Sequence, residues 1–298
     1  MQKDEELSYT EKAEKLVDHA GVQAARGRVI DAAAVYSRAA SMYKLGKEWA
    51  QAADTYLRSA EAYFKGGDVY CCAKELVSAG QCCFRPELNK IDVGESVYKR
   101  AIPLMIDLGK LHMAALYWRE LGGFEENHNL RLSIECYDNA AGLFDTDNHP
   151  EQSKDCSIKV AELLVRVHDF NSAMSAYGAI GKKMARMGGY IHSAISTDSF
   201  FNSMLCGVAV QDVLSSEVML EQICAESAAF KETEEYKLIK ALIYCVKVTS
   251  VEEMELAICS YKQRRNLSVT AITLLSDIKT QMVTPPQSMH PCGEPCKP

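Results

Sequence analysis

The chain has 298 residues, of which 48% are hydrophobic and 24% charged, a balance typical of a folded protein and not of a disordered one. Its formal net charge of −7 disfavours nucleic acid as a partner, because nucleic-acid binding normally requires a basic excess. No apolar run approaches the roughly 18 residues that a membrane-spanning helix needs. The charged N-terminus MQKDEELSYTEKAEK also lacks the apolar core of a signal peptide, so we expect a cytoplasmic protein.

Helices are predicted along nearly the whole chain. Five of the 8 prolines fall in the last fourteen positions, so little interrupts a helix before them. From the N-terminal side, AAVYSRAASMYKLGK (33–47) and AADTYLRSAEAYFKG (52–66) align when shifted by about 20 residues. The aromatic position then recurs at Tyr98, Tyr117, Tyr137 and Tyr177. Each unit reads as one helix of about 16 residues plus a turn, and two units make a hairpin.

Packing explains this pattern. An aromatic ring fills the gap between helices, and an alanine or glycine one turn later lets the neighbouring helix approach. Turn signals lie where this frame requires them: Gly46, Gly66, Gly67, Gly109 and Asp147–Asn148. Helix N-caps or first-turn residues are predicted at Asp31, Asp68 and Asp169.

The predicted fold is all-α, with a right-handed solenoid of antiparallel helical hairpins, similar to tetratricopeptide repeats, over residues 1–188. The Tyr/Ala frame fades after about Gly188. Residues 189–282 remain amphipathic and are predicted to form a C-terminal helical bundle, since a solenoid must end in a polar outer face. Residues 283–298, rich in proline, are predicted to be a flexible tail.

No pattern in the chain indicates catalysis. P-loop, G-x-G-x-x-G, H-E-x-x-H and G-x-S-x-G motifs do not occur. The seven histidines show no metal-ligand spacing, and the acidic pairs fall at helix starts or on solvated faces. The 12 cysteines are expected to be reduced and to act as small buried hydrophobic residues. We therefore expect neither an enzyme nor a cofactor or metal.

The segment YSRAASMYKLGKEW (36–49) resembles the soluble NSF attachment proteins of the α-type. The resemblance continues through VSAGQCC (77–83), IDLGKLHMAA (106–115), IECYDNAAGLF (134–144) and KDCSIKVAELL (154–164). It resumes at AFKETEEYKLIKAL (229–242) and TAITLLSDIK (270–279), so it covers about residues 11–282 in the same order. The γ-type remains open as a subtype.

This resemblance implies an adaptor that binds the SNARE four-helix bundle and recruits the hexameric AAA ATPase NSF, which takes the bundle apart. SNARE bundles carry acidic surface, and the family's basic concave face corresponds here to Lys47, Arg85, Lys110 and Lys159. The family's contact with NSF through the C-terminal helices corresponds to Leu274, Leu275 and Lys279. The resemblance also implies peripheral association with membranes.

Two segments depart from the family pattern. The first junction is VQAARGR (22–28), which is shorter than the family's membrane-contacting loop and lacks its Phe, although Arg26 and Arg28 can contact anionic lipid. The chain ends in GEPCKP, without the family's acidic segment and penultimate leucine.

Two other functions fit a helical repeat. A general peptide-binding scaffold would show a clamp of Asn and Lys on regular 34-residue repeats, whereas the spacing here is near 40. A helical-repeat RNA binder would need basic or polar residues at one position of every repeat, and the negative net charge disfavours it.

Overall fold

A computed structural model describes residues 8–210 and 212–283, and over these residues the chain is all-helical, with no strand. This confirms the predicted all-α class. The described part contains fourteen α-helices and one 3₁₀ helix: α1 (Tyr9–Ala25), α2 (Val29–Leu45), α3 (Trp49–Lys65), α4 (Val69–Cys83), α5 (Ile91–Asp107), α6 (Leu111–Glu125), α7 (Leu130–Thr146), α8 (Pro150–Arg166), α9 (Phe170–Met187), α10 (Tyr190–Ala209), α11 (Val213–Glu226), the 3₁₀ helix (Ala228–Glu232), α12 (Glu234–Val248), α13 (Val251–Lys262) and α14 (Val269–Val283).

The chain forms two compact units, which divide inside α8 between Cys156 and Ser157. The domain boundary that the sequence predicts after residue 188 falls at the glycine pair between α9 and α10. That division into solenoid and bundle stays a prediction, and the predicted tail lies outside the described residues.

In the first unit each helix from α1 to α7 packs against the next one in the chain. Consecutive helices run antiparallel, as two hydroxyl groups show. Ser59 Oγ, late in α3, donates to the Ala33 carbonyl early in α2 at 2.9 Å. Ser133 Oγ, early in α7, donates to the Gly122 carbonyl late in α6 at 2.7 Å. The predicted array of helical hairpins is therefore present, and its right-handed sense stays a prediction.

One short turn recurs between these helices. A residue with left-handed backbone follows the helix, and the next N–H donates to a carbonyl five residues earlier at 2.8–3.0 Å, which satisfies a helix-end acceptor. The left-handed residues are Gly27, Lys47, Gly67, Gly109 and Asn148 in the first unit, and His168 and Thr249 in the same turn of the second unit. The turns lie where the sequence places them, but in KLGKEW the left-handed residue is Lys47 and not Gly46, whose φ is −75°.

Helix starts follow the predicted chemistry. The Asp68 side chain accepts from the Cys71 N–H at 2.9 Å and caps α4. Asp169 accepts from the Ser172 N–H at 3.1 Å and caps α9, and this hydrogen bond is the main reason that the pKa of Asp169 lies below its ordinary value. Asp31 lies in the first turn of α2, where its charge favours the helix dipole.

The aromatic stripe lies in the core, as its period predicts. Tyr98 is fully buried, and a Cβ added at Gly80 of α4 would lie only 2.6 Å from Tyr98 Cε2 of α5. The same arrangement joins Gly122 of α6 to Tyr137 of α7, at 3.1 Å. The small residues are therefore required because a ring from the next helix covers them.

The second unit is built around α10, which packs against α9, α11, α12 and α14. Phe200, Met204 and Leu205 of α10 are fully buried in its core. Helix α9 approaches closely at Gly181, where an added Cβ would lie 2.6 Å from Phe200 Cδ1.

The cysteines of the described residues mostly behave as predicted. Eight are buried: Cys72, Cys82, Cys83, Cys136, Cys156, Cys206, Cys224 and Cys245. Burial raises the pKa of Cys136 and of Cys206 to about 12, so these thiols stay protonated near neutral pH. Cys71 is half-buried and Cys259 exposed. Among the described helices, none combines the length and apolarity that crossing a membrane requires.

Candidate functional site

Lys47 lies at the apex of the turn between α2 and α3, with its side chain exposed. Its φ of 61° is left-handed, a region that costs a side-chain-bearing residue roughly 1–2 kcal/mol. The turn is held by the Lys47 N–H donating to the Lys44 carbonyl at 3.1 Å and by the Glu48 N–H donating to the Tyr43 carbonyl at 2.9 Å. Lys47 therefore occupies the left-handed position of the turn, which is a glycine in three equivalent turns, at Gly27, Gly67 and Gly109.

Arg85 lies just beyond the end of α4, and its guanidinium stacks on the indole of Trp49, 4.8 Å from the ring centre. Trp49 begins α3 two residues after Lys47. This cation–π contact therefore brings Arg85 and Lys47 to the same end of the helical array. The Arg85 carbonyl accepts from the N–H groups of Leu88 and Asn89, at 3.0 and 2.8 Å, which fixes the backbone of this junction.

Two further lysines, Lys44 and Lys90, lie at the same end, and neither is among the residues that the family resemblance implies. Burial raises the pKa of the Cys82 thiol, while the charges of Lys44 and Arg85 act to lower it, so both cations lie near that sulfur. Lys90 directly precedes α5 at the close of the α4–α5 junction. We call Lys44, Lys47, Arg85 and Lys90 the basic end of the first unit. The sequence could have identified Lys44 and Lys90, because every second turn of a hairpin array lies at the same end, and both lysines are next to such turns.

The basic end is not uniformly positive. Glu48 lies in the α2–α3 turn and Glu87 in the α4–α5 junction. Asp92 lies in the first turn of α5, so the field of this end is that of a mixed surface.

Lys110 lies at the other end of the array. It directly precedes α6, and its N–H donates to the Met105 carbonyl at 2.8 Å. Because consecutive helices are antiparallel, the α5–α6 turn lies at the opposite end from the α2–α3 and α4–α5 turns. The first unit thus brings Lys47 and Arg85 together and separates Lys110 from them by about a helix length. A joint binding face for these residues stays a prediction.

Lys159 belongs to the second unit, within α8, and is half-buried. Its ammonium group lies 3.9 Å from a carboxylate oxygen of Glu162, one turn further along the helix. Part of its charge is therefore balanced locally, which weakens its attraction for a distant partner.

The residues expected to contact NSF differ in exposure. Leu274 is fully buried and Leu275 is 5% exposed, so both side chains belong to the core of the second unit. Lys279 is about half exposed and forms an ion pair with Glu255 of α13. Their role in an NSF contact stays a prediction, but burial limits the leucines to holding α14 in place.

The first helix junction is as short in the structure as in the sequence. Helix α1 ends at Ala25, and Arg26, Gly27 and Arg28 make the whole connection to α2. Both arginines are exposed. The C-terminal sequence GEPCKP lies outside the described residues.

Comparison with known proteins gives one family over nearly the whole chain. A family model described as soluble NSF attachment protein matches residues 4–283. An alpha-soluble NSF attachment protein of Vitis vinifera is 24% identical over 277 residues, which are 91% of this chain and 92% of that protein. That of Saccharomyces cerevisiae is 27% identical over 251 residues, 84% of this chain and 85% of the yeast protein. The vesicular-fusion protein SEC17 of Komagataella phaffii is 23% identical and covers 86% of each chain.

Proposed function

The chain belongs to the soluble NSF attachment protein family, and we propose that it is an adaptor which binds SNARE complexes and recruits an NSF-type AAA ATPase to take them apart. The observation that carries this proposal is the match to the family model, which spans residues 4–283. The adaptor supplies binding surfaces and no catalytic step, since ATP hydrolysis belongs to the recruited hexamer. Its place of action is the cytoplasmic side of membranes that undergo vesicle fusion.

We propose that the basic end contacts the acidic surface of the SNARE four-helix bundle. Lys47 supports this assignment, because a lysine stands in a left-handed position that glycine would occupy without strain. Arg85 supports it as well, since its stacking on Trp49 fixes the guanidinium at the surface and reduces the entropy lost on binding. Lys110 and Lys159 remain in the proposal as separate contacts.

The test is binding of the full chain to a soluble SNARE bundle as a function of salt concentration. Each exposed ion pair contributes roughly 0–1 kcal/mol. Reversing two charges replaces attraction by repulsion, so K47E/R85E should bind about tenfold more weakly at low salt, which corresponds to about 1.4 kcal/mol. The salt dependence of the variant should also be shallower. K110E and K159E, made singly, measure the other two contacts.

A matched control is K65E/K74E, which reverses the charge of two exposed lysines outside the basic end and gives the same net charge. It should retain most of the wild-type affinity. Equal loss in both double variants would show that only the overall charge matters and would reject the basic end as the binding surface. Failure of the wild-type chain to bind at low salt would reject the SNARE adaptor itself.

We propose that the exposed side of α14 contributes to the NSF contact, with Lys279 at the surface and the two leucines beneath it. K279E should weaken recruitment of NSF to a preformed complex of the chain with SNAREs while leaving SNARE binding unchanged. K262E, at the end of α13, is the control. Equal NSF recruitment by wild type and K279E would remove Lys279 from the contact.

We also propose peripheral contact with anionic membranes through Arg26 and Arg28. Each basic residue near an anionic surface contributes about 1 kcal/mol. Flotation with vesicles containing phosphatidylserine should recover the chain, and R26E/R28E should remain at the bottom of the gradient. Recovery with purely zwitterionic vesicles, or unchanged recovery of the variant, would contradict an electrostatic contact at this junction.

A further inference from the structure

Two histidines and an aspartate meet at the end of the first unit opposite the basic end. His112 lies in the first turn of α6, Asp147 closes α7, and His149 directly precedes α8. Each offers one ligand atom, and these three atoms lie within 4.8 Å of one another. All three side chains are partly exposed, between 33% and 44%, so the cluster lies at the surface of the first unit.

The distances are close to those of a metal centre. His149 Nε2 lies 3.2 Å from Asp147 Oδ2, and His112 Nδ1 lies 3.9 Å from the same oxygen. Zinc bonds of 2.0–2.2 Å in a tetrahedron place ligand atoms about 3.4 Å apart. To complete the set, the His112 ring needs to move by roughly 0.5 Å toward Asp147 Oδ2 and by at most about 1.4 Å toward the ligand nitrogen of His149.

The three groups are held in position by the fold. The His149 N–H donates to the Phe144 carbonyl at 2.8 Å, and Asn148 adopts φ 57° in the same turn, which sets the direction of both flanking side chains. The His112 ring packs edge-on against Phe144 at 5.5 Å and lies 4.4 Å from the His149 ring. Its Nδ1 is buried and has no hydrogen-bond partner among the described residues. An imidazole nitrogen that lies within 4.8 Å of two other ligand atoms, and has no hydrogen-bond partner among the described residues, is suited to bind a cation.

We propose that His112, Asp147 and His149 form a binding site for a zinc-class divalent cation. Two imidazole nitrogens and one carboxylate oxygen are a donor set that zinc accepts, and it leaves a fourth position for water. Hard cations such as magnesium and calcium prefer oxygen donors and are disfavoured here. An ion at this site links the α5–α6 turn to the α7–α8 turn and adds positive charge beside Lys110.

The ligands of this site are far apart in the sequence because they lie in turns that are one hairpin apart. His112 and His149 are one hairpin repeat apart, so they fall in alternate turns, which lie at the same end of the array. Local motifs such as H-x-x-x-H therefore do not apply. A pair of histidines one hairpin repeat apart, each in a turn, is the sequence pattern that predicts such a site.

The experiment is titration of the full chain, reduced and freed of metal, with Zn²⁺ in competition with a chromophoric chelator. In every sample Cys259, which is exposed, is changed to serine, and so are Cys292 and Cys296 of the C-terminal sequence, because thiols can bind zinc themselves. One equivalent should bind and raise the melting temperature. H112Q and H149Q should each lose more than the roughly 10–100-fold in affinity that removal of an outer-sphere partner costs. The control H128Q changes an exposed histidine in the α6–α7 turn, at the opposite end, and should bind like the parent.

Absence of binding by the parent chain, or equal affinity in H112Q, H149Q and H128Q, would overturn the proposal. A second measurement uses the parent chain alone, so it tests the site even if the variants do not fold. On addition of one equivalent of Zn²⁺ to the parent chain, the ring resonances of His112 and His149 should shift and those of the other histidines should not. Shifts at other histidines alone would equally contradict the site.

Discussion

Individual side chains of the first unit show how tightly its helices meet. At Gly80 the Tyr98 ring occupies the space that a Cβ would need, at 2.6 Å, whereas at Gly142 of α7 nothing lies within 4 Å. The same substitution, glycine to alanine, should therefore have opposite effects on stability at these two positions.

Gly80→Ala should destabilise the chain by about 1 kcal/mol, since overpacking costs roughly 1–3 kcal/mol and the gain in helix propensity returns part of it. Gly142→Ala should stabilise it by about 0.5–1 kcal/mol, because only the propensity changes. Urea denaturation monitored by circular dichroism measures both. Stabilisation by Gly80→Ala would show that α4 and α5 are further apart than described.

Glu125 is a second informative residue, because it is a carboxyl group with 1% exposure at the end of α6. Burial, and then the charge of Glu95, raise its pKa above the ordinary value of 4.5. Its Oε1 has no hydrogen-bond partner among the described residues. The folded state thus binds this proton more tightly than the unfolded state, so the contribution of Glu125 to stability falls as pH rises through the raised pKa.

Glu125→Gln should accordingly stabilise the chain near pH 7, by about 1–3 kcal/mol, since an unsatisfied buried acceptor with a charge is replaced by a neutral group. The difference from wild type should shrink as pH falls through the raised pKa, because the native carboxyl then becomes protonated. Denaturation curves at several pH values measure this difference. The exposed Glu61→Gln should stay within about 0.5 kcal/mol of wild type at every pH, and a constant gain for Glu125→Gln would contradict the raised pKa.

At the scale of the elements, the recurrent left-handed turn decides where each helix ends. Gly67 and Lys47 occupy the same position of equivalent turns, with φ values of 82° and 61°. A Cβ at Gly67 would meet nothing within 4 Å, so the effect of a side chain there comes from the backbone alone.

Lys47→Gly should stabilise the chain by about 0.5–1 kcal/mol, because the strain relieved exceeds the extra freedom of glycine in the unfolded state. Gly67→Ala should destabilise it by a similar amount. If the basic end binds SNAREs, Lys47→Gly should bind them more weakly although it is more stable. Thermal denaturation and SNARE binding measured on the same sample test both statements, and tighter SNARE binding by the stabilised variant would remove Lys47 from the surface.

For the whole molecule, the sequence predicts the architecture better than the surface. The period of tyrosine and alanine predicts helices of the observed length, and Asp68 and Asp169 cap the helices expected of them. These features are local, since periodicity and capping act within a few residues.

The surface could not be predicted in the same way, because it depends on which turns share an end of the array. Lys47 and Arg85 share one end of the array and Lys110 lies at the other. Leu275 is buried, although the family resemblance implied that it contacts NSF. The meeting of His112 with His149 likewise follows from the antiparallel packing of helices and not from any local spacing.

The most direct test of the adaptor function is the rate at which NSF and ATP take apart a purified SNARE bundle, with and without this chain. The chain should accelerate disassembly, K47E/R85E should do so less, and K65E/K74E should act like wild type. An alpha-soluble NSF attachment protein from mouse, 23% identical to this chain, serves as the positive control for the bundle and the ATPase. No acceleration by this chain, with full acceleration by the mouse protein, would contradict the account.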